Sequence, residues 1–225
     1  MIDWNNISTV FLDMDGTLLD LHFDNRFWLE HLPEGYARQQ GLSVEEAKTE
    51  LYRHYREIEG TMNWYCIDYW SRVLNMDITK LKRELSHLIT LRPNVIEFLD
   101  SVRGSGRRAV LVTNAHHKSL ALKMEHSALD NHLDDIICAH DLCLPKEITR
   151  FWHRLQDVLP FRSEHTLLID DNLSVLRAAR EYGIAHLLAV AEPDSRQPPK
   201  STGEFQAVSS FLDIMPGGPN VCPSV

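Results

Sequence analysis

Thr9-Val10-Phe11-Leu12-Asp13-Met14-Asp15-Gly16-Thr17 is the stretch whose reading decides the fold. Its first four residues form a short β-branched and apolar run, the pattern of a buried strand, and the run stops abruptly at an aspartate. Four more such runs follow: Ala109 to Val112, Asp135 to Cys138, Thr166 to Ile169 and His186 to Val190. Between the later runs lie helical patterns over Pro93 to Arg103, His117 to Leu129, Glu147 to Val158 and Ser174 to Tyr182. Gly104, Gly106 and Gly183 stand as their C-terminal stops. Strands alternating with helices predict an α/β fold built on a doubly wound parallel sheet.

The interval between the first and second runs breaks this alternation. From Phe23 to Leu91 no strand is evident. Helical segments rich in Glu, Lys, Arg, Leu and aromatics are interrupted at Gly41-Leu42-Ser43, Gly60 and Asn75 to Asp77. The interval is far longer than one crossover needs. We therefore expect a helical cap of about four helices at 23–91, inserted after strand 1 of a core formed by 1–22 and 92–215. Glu192 to Gly203, with three prolines, two serines and a threonine, reads as a surface loop. Pro216 to Val225 reads as a flexible tail.

A chain of 225 residues has room for one α/β domain and a smaller insertion. Its formal net charge of −9 excludes a general nucleic-acid binder, which needs a basic face against phosphates. No apolar run approaches the roughly 20 residues that span a bilayer. Met1 to Trp4 carries Asp3 and no basic segment, so no membrane association and a cytoplasmic location are expected. Cys66, Cys138, Cys143 and Cys222 are scattered through a chain too long to need staples, which points to reduced thiols. Cys138, His140 and Cys143 lie close enough to suggest zinc. No second Cys or His pair has metal-finger spacing, and a zinc site is not expected there.

Ligands of open α/β sheets bind beyond the carboxyl ends of the strands. Asp13-Met14-Asp15-Gly16-Thr17 follows the first run, Thr113-Asn114 the second and Asp170-Asp171 the fourth, while Lys146 opens the helix before that fourth run. Singly, each has an ordinary reading as a turn, a helix cap or a solvated loop. Together they crowd carboxylates at one sheet edge, where each pair about 4 Å apart repels by about 4 kcal/mol at an effective dielectric near 20. Such a cluster needs a cation. Hard oxygen ligands and one lysine suit Mg²⁺ with a phosphate better than zinc.

In this order the motifs resemble the haloacid-dehalogenase superfamily, whose signature is DxD followed by Gly-Thr, then Ser or Thr, then Lys, then paired acidic residues. The resemblance implies a Rossmann-like core of strand order 3-2-1-4-5 and a Mg²⁺-dependent phosphatase acting on a small phosphate monoester. Asp13 would be the nucleophile that forms an aspartyl phosphate, and Asp15 the general acid and base. Asp13, the backbone carbonyl of Asp15, and one or both of Asp170 and Asp171 would hold Mg²⁺. Thr113 and Asn114 would donate to phosphoryl oxygens, and Lys146 would offset charge. Many members carry another acidic residue four positions after the metal aspartate, but four after Asp171 is Val175. We expect Asp171 to be the direct ligand and Asp170 to act through a bound water.

Further stretches resemble the purine 5′-nucleotidase branch of that superfamily, which implies GMP or IMP as substrate. They are Asp13 to Leu21 with Phe23-Asp24-Asn25, Asn63-Trp64-Tyr65-Cys66, Asp68-Tyr69-Trp70, Thr113 to His116, Lys123 with Glu125-His126, Pro145-Lys146-Glu147 and Pro193-Asp194-Ser195. Asn63, Trp64 and Tyr65 are candidate base contacts, although Trp64, Ile67 and Trp70 also share one helix face and could form a core stripe. His116 is either a substrate contact or one of an exposed pair with His117 at a helix start. His22 and Asn25 either gate the site or act as hinge and packing residues. Two other readings stay open: a sugar-phosphate phosphatase or phosphomutase on the same scaffold, and a catalytically inactive binding protein of this fold.

Overall fold

The computed structural model describes residues 2–217. The expected tail falls almost wholly outside the described residues, as does Cys222. The five expected strands form one parallel sheet with a sixth, in the order β3-β2-β1-β4-β5-β6. They are β1 (Thr9–Leu12), β2 (Arg108–Thr113), β3 (Asp135–Cys138), β4 (Thr166–Asp170), β5 (His186–Val190) and β6 (Gln206–Val208). The last was not expected, because three residues of which two are exposed carry no apolar pattern.

β1 is central, and all four of its residues are buried. Val10 and Leu12 face a core layer shared with α7 (Val95–Gly104) and α8 (His117–Ser127), whereas Phe11 faces a layer shared with α9 (Thr149–Val158) and α10 (Leu173–Tyr182). A strand covered on both faces must be continuously apolar, so polar residues fall at its end. Register does the rest. Leu12 pairs with Leu111 on one side and Ile169 on the other, which sends Asp13 and Asp170 out of neighbouring strands at one level.

Lys146 does not open a helix as expected. α9 starts at Thr149, and Lys146 sits in the preceding turn. Its backbone N–H donates to Asn114 Oδ1 at 2.9 Å and its carbonyl accepts from Trp152 Nε1 at 3.0 Å, so tertiary bonds replace helical ones.

Between β1 and β2 the chain is helical: α1 (His22–Arg26) runs through a π-helical turn (Phe27–His31) into α2 (Leu32–Gln40), followed by α3 (Val44–Ile58), the single turn α4 (Met62–Tyr65), α5 (Ile67–Leu74) and α6 (Ile78–Glu84). The breaks fall where the sequence has its stops. Gly41 closes α2 in the left-handed region, and Ser43 and Glu46 form a capping box for α3. These helices share a core of their own around Phe27, Leu32, Leu51, Tyr55, Ile67, Trp70 and Ile78. Ile67 and Trp70 thus belong to the core stripe. Among the described residues no helix is long and apolar enough to cross a membrane.

Trp70 is wholly buried and donates its indole N–H to the Trp64 carbonyl at 2.9 Å. Trp70→Ala should lower unfolding free energy by about 3–5 kcal/mol in urea titrations. A loss under about 1 kcal/mol would mean that the inserted helices lack this core.

Candidate active site

Lys146 is the hub of the site. Its Nζ, almost wholly buried, donates to Asp13 Oδ1 at 2.5 Å, Asp170 Oδ2 at 2.8 Å and the Val112 carbonyl at 2.9 Å. Burial alone would depress this amine, but Asp13 and Asp170 more than offset it and push its pKa up. The ammonium is therefore permanent. One positive charge then faces three carboxylates, since Asp13, Asp170 and Asp171 can each bring an oxygen within 4.8 Å of the others.

The consequence is a group of reluctant acids. Burial raises Asp13 to about 7, against the pull of Lys146, with Asp170 and Asp15 adding to the rise. Burial likewise raises Asp170 to about 6 and Asp171 to about 7, Asp13 adding to the latter. Asp170 is fully engaged, its second oxygen accepting the Asn172 N–H at 2.9 Å. Asp171 accepts no hydrogen bond from the described residues. A hard divalent cation fits this donor set, because it would neutralise the repulsion and give Asp171 a partner.

Gly16 lets the pieces meet. Its φ is +86°, and a Cβ there would stand 2.8 Å from the Asp171 carboxylate and 2.9 Å from Pro193 Cβ. No side chain fits that space.

Asp15, two residues beyond Asp13, faces the inserted helices. Lys123 Nζ on α8 donates to Asp15 Oδ1 at 2.6 Å and to Asp24 Oδ2 at 2.6 Å, while Lys82 on α6 donates to Asp24 Oδ1 at 2.7 Å. Two lysines and two aspartates thus alternate in a nearly dry chain. Burial raises the Asp15 pKa despite Lys123. Burial also opposes ionisation of Asp24, but Lys123 and Lys82 overcome it and hold Asp24 at about 2.

Thr113 Oγ1 accepts the Ala115 N–H at 3.0 Å, which leaves its hydroxyl hydrogen free. Asn114 is partly committed to the scaffold: Oδ1 receives Lys146 N–H, and Nδ2 donates one hydrogen to Glu147 Oε2 at 2.9 Å. Glu147 also accepts from Asn172 Nδ2 at 3.1 Å and from the Tyr65 hydroxyl on α4. It ties the ends of β2 and β4 to the insertion.

Two cavities meet over these groups. One, of about 400 Å³, is lined by Asp13, Asp15, Thr113, Asn114, Lys146, Asp170, Asp171 and Lys200. The other, of about 260 Å³, is lined by Trp28, Tyr55, Trp64, Tyr65, Asn25, Ser119 and His116. Asp15, Leu21, Trp64, Tyr65 and Ala115 line both, so a polar end opens into an aromatic one. Asn63 is exposed and lines neither. His22 turns instead to buried Asp194, its Nδ1 3.6 Å from Oδ1, and Asn25 Nδ2 donates to Asp194 Oδ2 at 2.6 Å. His116 is buried rather than exposed at its helix start, while His117 is exposed.

Lys82 carried no sequence signal, since a lysine in a helical run reads as a solvated residue. Asp24, Lys123 and Glu147 stood within the stretches that resemble the purine 5′-nucleotidase branch, yet their pairing exists only in three dimensions. Lys200 lay hidden in a Pro-rich loop.

A parallel sheet carrying its acids and one buried lysine at the carboxyl edge, under helices inserted after its first strand, defines an α/β protein with a Rossmann-like core and a charged site at the strand ends. Residues 10–189 match the haloacid dehalogenase-like hydrolase family, and the chain belongs to that family. It is 40% identical over 215 residues to the GMP/IMP nucleotidase YrfG of Escherichia coli (strain K12), covering 96% of this chain and 97% of that protein. The GMP/IMP nucleotidase YrfG of Shigella flexneri matches equally. Among solved structures, a HAD phosphatase from Thermococcus onnurineus superposes with TM-score 0.76 at 17% identity, over 92% of this chain and 95% of that one. CbbY from Rhodobacter sphaeroides, in complex with phosphate, does so with TM-score 0.63 at 18% identity, over 92% and 96%. Both share the fold.

Two outcomes follow from the crowding. Gly16→Ala should cost about 1–3 kcal/mol of stability and weaken binding of a divalent cation, measured by denaturation and calorimetry. Wild-type affinity for the cation in this variant would contradict the close approach. Asp13, Asp170 and Asp171 also hold protons more tightly when folded than in an unfolded chain, where carboxyls titrate near about 4. The folded state therefore binds more protons between about pH 4 and 7, and metal-free stability falls as pH rises through that window. In EDTA the Tm should decline from about pH 5 to about pH 8, and the Tm gain on adding a divalent cation should be larger at the higher pH. A metal-free Tm that rises over this range would contradict the assignment.

Proposed function

We propose that the chain is a Mg²⁺-dependent phosphomonoesterase of the cytoplasm that works through an aspartyl phosphate on Asp13 and hydrolyses GMP and IMP to nucleoside and phosphate. The observation that carries this reading is the junction of the two cavities: a carboxylate held by a buried lysine stands at a polar end that opens into an aromatic pocket.

Lys146 occupies Asp13 Oδ1 and leaves Oδ2 without a partner among the described residues, so one oxygen is fixed and the other can attack phosphorus. Asp15 protonates the departing nucleoside oxygen, then takes a proton from the water that hydrolyses the aspartyl phosphate and restores Asp13. Burial, which raises the Asp15 pKa, suits it to the first of these duties. Thr113 has a free hydroxyl hydrogen for a phosphoryl oxygen, and Asn114 a free amide hydrogen. Asp13, Asp171 and the Asp15 carbonyl would hold Mg²⁺, with Asp170 in the outer sphere. The ion supplies the positive charge without which a carboxylate and a phosphate dianion repel.

Residues 23–91 then serve as a cap over the core of 1–22 and 92–215, and the cap chooses the substrate. Trp28, Tyr55, Trp64 and Tyr65 offer flat apolar faces for a base, and Asn25 and Ser119 offer polar edges. The relatives named as GMP/IMP nucleotidases, 40% identical over 96% of the chain, support a purine.

A panel of GMP, IMP, AMP and hexose phosphates tests the substrate, with GMP and IMP expected to have the highest kcat/KM. Faster turnover of hexose phosphates would replace the nucleotidase with a sugar-phosphate phosphatase. Asp13→Asn should lower kcat by about 10³-fold or more, and activity retained in that variant would overturn the mechanism. Trp64→Ala should raise KM for GMP by about tenfold, equivalent to about 1.4 kcal/mol, while sparing glycerol phosphate.

A further inference from the structure

The corner where the insertion meets the carboxyl edge of β2 and β3 holds a second set of ligand-type side chains, distinct from the aspartates. Cys66 comes from the turn between α4 and α5, His116 from the residue before α8, and His140 from the 3-10 turn after β3. One ligand atom from each lies within 4.8 Å of the other two. We propose that Cys66, His116 and His140 bind a borderline transition-metal cation, Zn²⁺, that staples the inserted helices to the core.

The donor set fits such an ion. His140 Nε2 is buried and has no hydrogen-bond partner, a state that natural structures rarely leave unexplained. Burial, with His116 and His117 adding to it, holds His140 down at about 4, so it is a neutral imidazole at ordinary pH. Burial also lowers the His116 pKa. The two rings meet edge to face with centroids 4.9 Å apart. Neutral imidazoles and a thiolate select zinc over magnesium. Ligand atoms around a tetrahedral zinc stand roughly 3.5 Å apart, so no pair of the trio, all within 4.8 Å, has to draw in by more than about 1.3 Å.

The competing contacts are weak. His116 Nδ1 accepts the Lys118 N–H at 3.3 Å, and Nε2 is 3.6 Å from Asp68 Oδ2. Cys66 Sγ accepts the Tyr69 N–H at 3.4 Å. Asp68 Oδ1 is held by Lys118 at 2.5 Å. The neighbouring group of His117, Cys138 and Asp141 is poorer. His117 and Asp141 are already paired at 3.0 Å, Cys138 donates to the Ala115 carbonyl at 3.2 Å, and burial pushes its thiol up to about 11. Cys138, His140 and Cys143, the grouping close in sequence, do not converge. The ligands that do come from three separate segments, which spacing could not reveal.

Co²⁺ titration of the metal-free full chain tests the site, because a cobalt–thiolate bond absorbs where a carboxylate site does not. One equivalent should give tetrahedral d–d and thiolate charge-transfer bands, and Zn²⁺ should displace it. Cys66→Ser should abolish the charge-transfer band, and His140→Gln should weaken Co²⁺ binding at least tenfold. Cys143→Ser and Asp13→Asn should leave the spectrum unchanged, which separates this site from the catalytic acids. If a variant fails to fold by circular dichroism, X-ray absorption of the wild-type zinc protein decides, with one sulfur and two imidazoles expected in the first shell. Absence of a charge-transfer band in the wild type, its survival in Cys66→Ser, or a shell of oxygens alone would overturn the proposal.

Discussion

A lysine almost wholly removed from water, placed between two aspartates, is the constraint on which the rest of this molecule depends. Taking an ammonium out of water costs several kcal/mol, and only close anions and well-aimed acceptors repay it. Asp13, Asp170 and the Val112 carbonyl supply them. Each partner sits at a strand end. The register of β1 with β2 and β4 is therefore an electrostatic requirement as well as a hydrophobic one. Removing Lys146 would leave two buried carboxylates facing each other, which is why its backbone is pinned so firmly by Asn114 and Trp152.

One lysine cannot balance every acid at that edge. Asp171, unpaired and pressed against Gly16, is the excess, and an excess of hard oxygens is what a divalent cation requires. A second charge relay of opposite geography lies above it. Lys82 and Lys123 alternate with Asp24 and Asp15, running from α6 of the insertion through α8 to the strand end. Glu147 makes a parallel link by receiving Tyr65 from the insertion and Asn114 and Asn172 from the core. The inserted helices are thus coupled to the carboxyl edge of the sheet by charge, not only by packing.

How much of this could be read from the chain depends on whether a feature is local. Thr9 to Leu12 is buried on both faces and so is apolar throughout, and the same holds for β2 and β4. Gly41, Ser43, Asn75 and Gly183 end or begin helices because their own backbone preferences do so, and those boundaries were legible. The acids at Asp13, Asp15, Asp170 and Asp171 were legible because a strand end is a definite place. β6 was not: Gln206 and Ala207 are exposed, and pairing with β5 alone makes them a strand. Nor was the start of α9, where Lys146 gives up helical bonds for tertiary ones. Lys82 was invisible for the deeper reason that burial of a charged residue is decided by partners far away in sequence. Asn63 and His22 show the converse, since proximity to informative neighbours did not bring them to the cavity.

The central claim is that Asp13 becomes phosphorylated. Rapid acid quench of the wild-type protein during turnover of GMP, followed by peptide mass spectrometry, tests it most directly, because it stops the reaction between formation and hydrolysis of the intermediate. The account predicts one added phosphoryl group on the peptide containing Asp13. A phosphoryl group on His116 or another residue, or GMP consumed with no covalent adduct, would contradict it.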